Sequence, residues 1–169
     1  VDALKGKEAV VSQIKKKSFS QSPYAPFTTS TLQQDGVRKL NMSSDRVMKA
    51  AQKLYEGTGN GGYITYMRTD SNNLSAEAIN DIRSFVSGEK TLGKQLLPNS
   101  PREYKTKAKN AQEAHEAIRP TKMDMTPDRL RQESSLDQDE LKLYALIWKR
   151  TIASQLVNAE FESTVVDID

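Results

Sequence analysis

The stretch DQDELKLYALIWKRTIASQL, residues 137–156, sets the fold class. Leu141, Tyr144, Ala145, Trp148, Ile152 and Leu156 recur at the spacing that lays one apolar face along an α-helix. Asp137, with Glu140 on the same first turn, forms a capping-box-like start. Trp148 therefore reads as core, because its neighbours on that face are all apolar. Beyond this helix the pattern changes. Residues 161–168, with Thr164, Val165 and Val166, have strand character, and residues 8–19, with Val10, Val11 and Ile14, have the same character at the other end. A chain that begins and ends on strands predicts that the two pair antiparallel, with everything between them an insertion. Two strands alone are marginal, so the sheet is expected to continue in a larger polypeptide.

The insertion reads as mostly helical, which makes the chain mainly α with minor β. Thr28 or Thr29 caps a helix to about Leu40, and Ser43 or Ser44 caps a second one bearing Val47, Met48, Ala51, Leu54 and Tyr55, with Gly57 as its stop. Helix, short turn, helix is a DNA-binding outline, but it is also the commonest way to pack two helices. GTGNGG at 57–62 lacks the Lys-Ser/Thr ending of a phosphate-binding loop and has no strand before it, so it reads as a turn or hinge. Residues 63–68 have the β-branched and aromatic character of a strand. Ser75 caps a helix carrying Ile79, Ile82, Phe85 and Val86 that Gly88 ends, and Thr126 with Pro127 starts a short one. Residues 88–110 are irregular.

Composition narrows the function classes. Cysteine is absent and there is one histidine, so a thiolate zinc site or disulfide scaffold is excluded and no metal site is expected within the chain. Mean hydropathy is −0.69 and no apolar run approaches the ~20 residues of a spanning helix, so no membrane partner is expected and the cytoplasm is the default compartment. The net charge of +3 permits a polyanionic partner without requiring one. The basic residues cluster as Lys15, Lys16 and Lys17 and again as Lys105, Lys107 and Lys109. A solvated basic face is the plain reading of either run.

Two short stretches carry chemistry. If residues 63–68 form a strand, Ile64, Tyr66 and Arg68 share one side, and a phenol lies beside a guanidinium. Tyrosine-based phosphoryl transfer needs that pair, since the phenolate is the nucleophile and the phosphate is the anion to be held. Alone, the pattern more often means a packed ring beside a surface charge. In QEAHEAIRP, residues 112–120, a helical turn would put His115 and Arg119 on one face, able to grip one phosphate together. Alone, this is more often a surface histidine among acidic neighbours.

ITYMRTDS at 64–71 resembles the active-site motif of bacterial type IA DNA topoisomerases of the topoisomerase I kind, in which the tyrosine of Tyr-Met-Arg is the nucleophile. PFTTSTLQQ at 26–34, AQKLYEG at 51–57 and NAQEAHEAIRPT at 110–121 also resemble that family's segments, in the family's order. The methionine between Tyr66 and Arg68 and the form of the histidine motif favour topoisomerase I over topoisomerase III and reverse gyrase. The resemblance implies a winged-helix-like (CAP-like) helical tyrosine domain over residues 23–157, inserted between two strands, 1–22 and 158–169, of a β arch domain. It implies that Tyr66 attacks a DNA phosphate, that Arg68 assists there and that His115 contacts the nearby backbone; Lys109 and Arg119, from the basic residues around the histidine, are expected to bind DNA. It implies a 5′-phosphotyrosyl link, resealed without ATP after a strand passes, so that negatively supercoiled DNA is relaxed. Mg²⁺ is expected to sit in a metal-binding domain of the full-length enzyme, outside this chain. The expected partners are single-stranded DNA at the cleavage site and the rest of the same polypeptide, in a monomer.

A different class of function is a non-catalytic helix-turn-helix module that holds DNA through Lys105, Lys107, Lys109 and Arg119 without breaking it. Only the enzyme predicts a covalent adduct at Tyr66.

Overall fold

Side-chain caps set the start of every α-helix in the computed structural model of the chain, which describes residues 8–59, 61–104 and 115–169 together with Gly6. The order is β1 (Val11–Gln21), α1 (Thr29–Leu40), α2 (Ser44–Glu56), α3 (Ala76–Gly88), a 3₁₀ turn (Lys94–Leu96), α4 (Pro127–Glu133), α5 (Gln138–Ser154) and β2 (Ala159–Ile168). Thr28, Ser43, Ser75 and Thr126 each accept a backbone N–H of their helix's first turn through the side-chain hydroxyl. Asp137 and Glu140 form the expected capping box of α5. The architecture is mainly helical with one two-stranded sheet.

The described residues fall into two compact units, Pro23–Val157 and a second made of the residues up to Ser22 with Asn158–Asp169. In the larger unit α1, α2 and α5 pack around Leu32, Val47, Leu54, Leu143, Tyr144 and Ile147. The irregular segments contribute Phe27, Ile64, Met67 and Ile118 to the same cluster, so their paths are fixed by the core. A smaller cluster joins Ile82 and Val86 of α3 to Met123 and Ile152. The segment entering α1 is tied to α5 by Arg150. Its guanidinium lies 4.2 Å from the Phe27 ring centre, donates to the Ala25 carbonyl at 3.2 Å and pairs with the buried Asp35.

The core face of α5 is rotated from the predicted one. Leu143, Ile147 and Thr151 are fully buried with Tyr144 and Ile152, while Leu141 and Trp148 are half-buried at the margin. The reason is that α5 is covered on two sides, by the larger cluster and by the α3 cluster, so its apolar surface is wider than one stripe. Trp148 sits at the seam. Its ring meets Phe85 edge-on at 5.6 Å, and its Nε1 donates to the Met123 carbonyl at 3.1 Å.

The predicted strand at residues 63–68 does not form. Only an isolated bridge between Ile64 and Pro120 is present, and both Ile64 and Met67 are buried, which breaks the period of two. Proline opposite Ile64 has no N–H to extend a ladder. The threonines meanwhile spend their hydroxyls on backbone groups, giving the segment hydrogen bonds that do not need a neighbouring strand.

In the smaller unit β1 and β2 pair antiparallel from Val11 opposite Ile168 to Gln21 opposite Ala159, as the matching character of the two ends predicts. Phe19 stacks on Phe161 across the pair at 5.2 Å. The basic run is balanced here, since Lys15 pairs with Asp167 at 3.0 Å and Lys16 with Glu162 at 3.1 Å.

Candidate functional site

Helix α2 ends directly below the tyrosine segment, and the glycines of residues 57–62 make that possible. Gly57 caps the helix at φ +71°, where an L side chain is strained, and a Cβ there would also overlap the Gly61 carbonyl. A Cβ on Gly62 would fall 2.1 Å from the Tyr55 carbonyl oxygen. With both Cβ atoms absent, the chain folds straight back onto α2 and the Tyr63 N–H donates to the Leu54 carbonyl at 2.7 Å. The loop read as a turn or hinge is thus a tight return held by backbone packing.

From Tyr63 onward the segment is laced to residues 117–121. The Thr65 N–H donates to the Arg119 carbonyl at 2.9 Å and the Thr121 N–H to the Tyr63 carbonyl at 3.0 Å. The Thr65 hydroxyl donates to the Ala117 carbonyl at 2.8 Å and accepts the Arg119 N–H at 3.0 Å. Residues 117–118 are held on their other side by the Asn73 and Phe27 carbonyls, which accept the Ala117 and Ile118 N–H groups at 2.9 and 2.8 Å. Residues 115–119 are therefore extended, not a helical turn. The N–H groups of Ala117, Ile118 and Arg119 are consumed by other segments, so none of the three is left for a helical bond. His115 and Arg119 consequently do not share a helix face.

That correction removes one pairing and supplies another. The His115 ring lies 5.2 Å from the Tyr66 ring, centre to centre, although the two are far apart in sequence. On a further side Tyr55, at the end of α2, meets Tyr66 edge-on at 5.3 Å. Tyr66 is half-buried, His115 and Arg68 are exposed, and no other described residue forms a hydrogen bond or ion pair with the Arg68 side chain. Arg119 is engaged differently: its Nε donates to Glu116 and its Nη1 to the Pro120 carbonyl at 3.0 Å. Burial works to raise the Glu116 carboxyl, but hydrogen bonds from Arg119 and Ser75 outweigh it and hold the group below the ordinary carboxylate range. Lys109, like Lys105 and Lys107, lies outside the described residues.

Tyr55, Thr65 and Thr29 are the neighbours that the sequence did not single out. Tyr55 reads as one more apolar position of a helix, yet it is 40% exposed and faces Tyr66. Thr29 reads as an alternative cap for α1, but Thr28 does the capping, and the Thr29 hydroxyl reaches Met67 and Thr69 instead. A cleft of about 290 Å³ opens beside Tyr63, lined among others by Gly62, Lys122, Arg129 and Tyr144, and none of Tyr66, Arg68 or His115 borders it. Among the described residues no group of three or more His, Asp or Glu side chains converges to hold a metal.

The family model described as DNA topoisomerase matches residues 1–169. DNA topoisomerase 1 of Rickettsia felis is 50% identical over 171 residues, covering 99% of this chain and 22% of that protein. DNA topoisomerase 1 of Mycolicibacterium smegmatis is 51% identical over 157 residues, covering 92% of this chain and 16% of that protein. The chain thus spans about a fifth of the length of the curated relatives it matches. Among solved structures, full-length topoisomerase I from Thermotoga maritima superposes with a TM-score of 0.77 at 35% identity, over 99% of this chain and 26% of that one. With a family model across the whole chain and relatives of this identity, the chain belongs to the bacterial type IA DNA topoisomerase family.

Proposed function

We propose that this chain carries the DNA-cleaving tyrosine of a type IA topoisomerase, and that the tyrosine is Tyr66. The observation that carries the reading is the meeting of Tyr66 with His115, two residues from separate motifs whose rings lie 5.2 Å apart. In the forward step the Tyr66 oxygen bonds to a backbone phosphorus, the bond from phosphorus to the 3′ oxygen breaks, and that oxygen leaves as a 3′ hydroxyl. Religation is the reverse. Each step exchanges one phosphodiester for another, so ATP is not required. Arg68, unpaired among the described residues, offers its guanidinium to the phosphate oxygens, and His115 donates to the adjacent backbone. Lys109 adds charge along the strand. Arg119 reaches a phosphate only by exchanging Glu116 for it, which makes it the weaker contact.

In this reading Pro23–Val157 is the winged-helix-like tyrosine domain, inserted between strands β1 and β2 of the arch domain. The single-stranded part of the DNA and the rest of the polypeptide are its partners, in a cytoplasmic monomer that relaxes negatively supercoiled DNA. Mg²⁺ belongs in this reading to a metal-binding domain of the full-length enzyme, and none of the steps above passes through it.

The test is a denaturing gel of end-labelled single-stranded DNA, incubated with a full-length enzyme carrying this chain. Tyr66→Phe is expected to abolish the protein-linked band while leaving non-covalent binding within about twofold, because the ring stays and only the nucleophilic oxygen goes. Arg68→Ala and His115→Ala are expected to weaken the band by about 10²–10³-fold and less, respectively, since each removes phosphate stabilisation but not the nucleophile. A band that persists in Tyr66→Phe, or is lost in Tyr63→Phe alone, names the wrong tyrosine. Binding with no adduct in the unmodified enzyme would favour a non-catalytic DNA-binding module.

A further inference from the structure

We infer that Thr29 and Thr65 are positioning residues that clamp the Tyr66–Arg68 segment from its two sides. This rests on the proposed roles of Tyr66 and Arg68. The segment has no strand ladder to hold it, so its path depends on isolated hydrogen bonds, and two threonine hydroxyls add to the few backbone ones. Thr29, the first residue of α1, brackets Arg68. Its hydroxyl donates to the Met67 carbonyl at 2.8 Å and accepts the Thr69 N–H at 2.8 Å, and its own N–H donates to the Thr69 carbonyl at 2.9 Å. Thr65 stands before Tyr66 and ties it to the histidine segment through the Ala117 carbonyl and the Arg119 N–H. Each hydroxyl donates to one backbone group and accepts from another, a pattern that serine reproduces and valine, of nearly the same shape, does not. The two attachments serve different ends. Thr65 sets Tyr66 against His115, and Thr29 fixes the backbone on both sides of an arginine whose side chain is exposed. A nucleophile and a cation meant to meet one phosphate need this fixing, because a misplacement of about 1 Å costs on the order of 100-fold in rate.

The experiment compares Thr29→Val, Thr29→Ser, Thr65→Val and Thr65→Ser in a full-length enzyme carrying this chain. Rates of adduct formation and of religation are read in single turnovers at saturating single-stranded DNA, with binding measured separately. Each valine variant is expected to slow both steps about 10- to 100-fold with binding within about twofold, and each serine variant to recover to within about threefold of the parent. Valine variants that cleave at the parent rate overturn the clamp, as do serine variants as slow as their valine counterparts. Should a valine variant fail to fold, hydrogen exchange of the unsubstituted enzyme decides. The Thr69 and Arg119 amides are expected to be protected, and exchange as fast as in an unbonded exposed amide overturns the proposal. Tyr66→Phe run alongside separates the two readings. An adduct surviving in Tyr66→Phe refutes the nucleophile, whereas parent-like valine variants refute only the clamp.

Discussion

Glu116 follows His115 in the chain and holds Arg119 in an ion pair, so its charge state bears on how firmly the histidine segment is anchored. Its carboxyl is held below the ordinary range, which means that the folded state binds the proton less readily than the unfolded chain does. For such a group the stabilisation is fully present above the unfolded value of about 4.3 and is lost as pH falls through the lower folded value. Partial exposure of both partners screens the pair and limits it to roughly 1 kcal/mol or less. Glu116→Gln is therefore expected to melt below the parent at pH 7 and to converge with it as the pH falls through the lowered folded value. Thermal melts of both proteins from neutral to acid check this, and a gap that is the same at every pH would show that the charge is irrelevant. At this scale the sequence was partly legible. It singled out Tyr66, Arg68 and His115, but its geometry for each pairing was wrong: the strand that was to align Tyr66 with Arg68 is absent, and the helical turn that was to align His115 with Arg119 is extended. Burial and side-chain-to-backbone bonds, neither of them periodic in sequence, settle those segments instead.

The helices show the opposite balance. Their starts were readable because a capping hydroxyl or carboxylate is a local signal, and Ser43, Ser75, Thr126 and Asp137 all act where the local pattern puts them. The width of the buried face of α5 was not readable, because it depends on how many neighbours cover the helix. The glycine loop lies between these cases. That it turns was evident from composition, whereas the need for Gly62 to lie against the Tyr55 carbonyl is a tertiary fact. Gly62→Ala inserts a Cβ where backbone stands 2.1 Å away, so α2 and the tyrosine segment must part. Overpacking of this kind costs about 1–3 kcal/mol, and here the displaced element carries Tyr66. The variant is expected to melt lower and to form the covalent adduct more slowly than its loss of stability explains. A Gly62→Ala protein with the parent's rate at a temperature where both are folded would show that the loop does not set the tyrosine's place.

For the molecule as a whole, the proposed nucleophile and cation lie on one chain, and the cation is left in water. A phenol is a poor nucleophile until its proton is removed or shared, so a nearby cation matters. A cation ~4 Å away offsets roughly 4 kcal/mol where the effective dielectric is near 20, but only about 1 in bulk water. Arg68 is exposed, and Tyr66 is covered on two of its sides by Tyr55 and by the exposed His115. An exposed Arg68 therefore acts near the screened limit whatever its distance from Tyr66, and in the proposed reading the site is expected to become effective when another part of the enzyme closes over it and excludes solvent. The relatives are large enough to supply such a part, since the matched region is about a fifth of their length. Expressed alone, the chain is expected neither to relax supercoiled DNA nor to accumulate a covalent adduct, even with Mg²⁺ present. Agarose relaxation assays and the denaturing gel read both outcomes. A protein-linked DNA band from the isolated chain would show that Tyr66 is activated within its own unit, and would require a local source of charge stabilisation other than a screened Arg68.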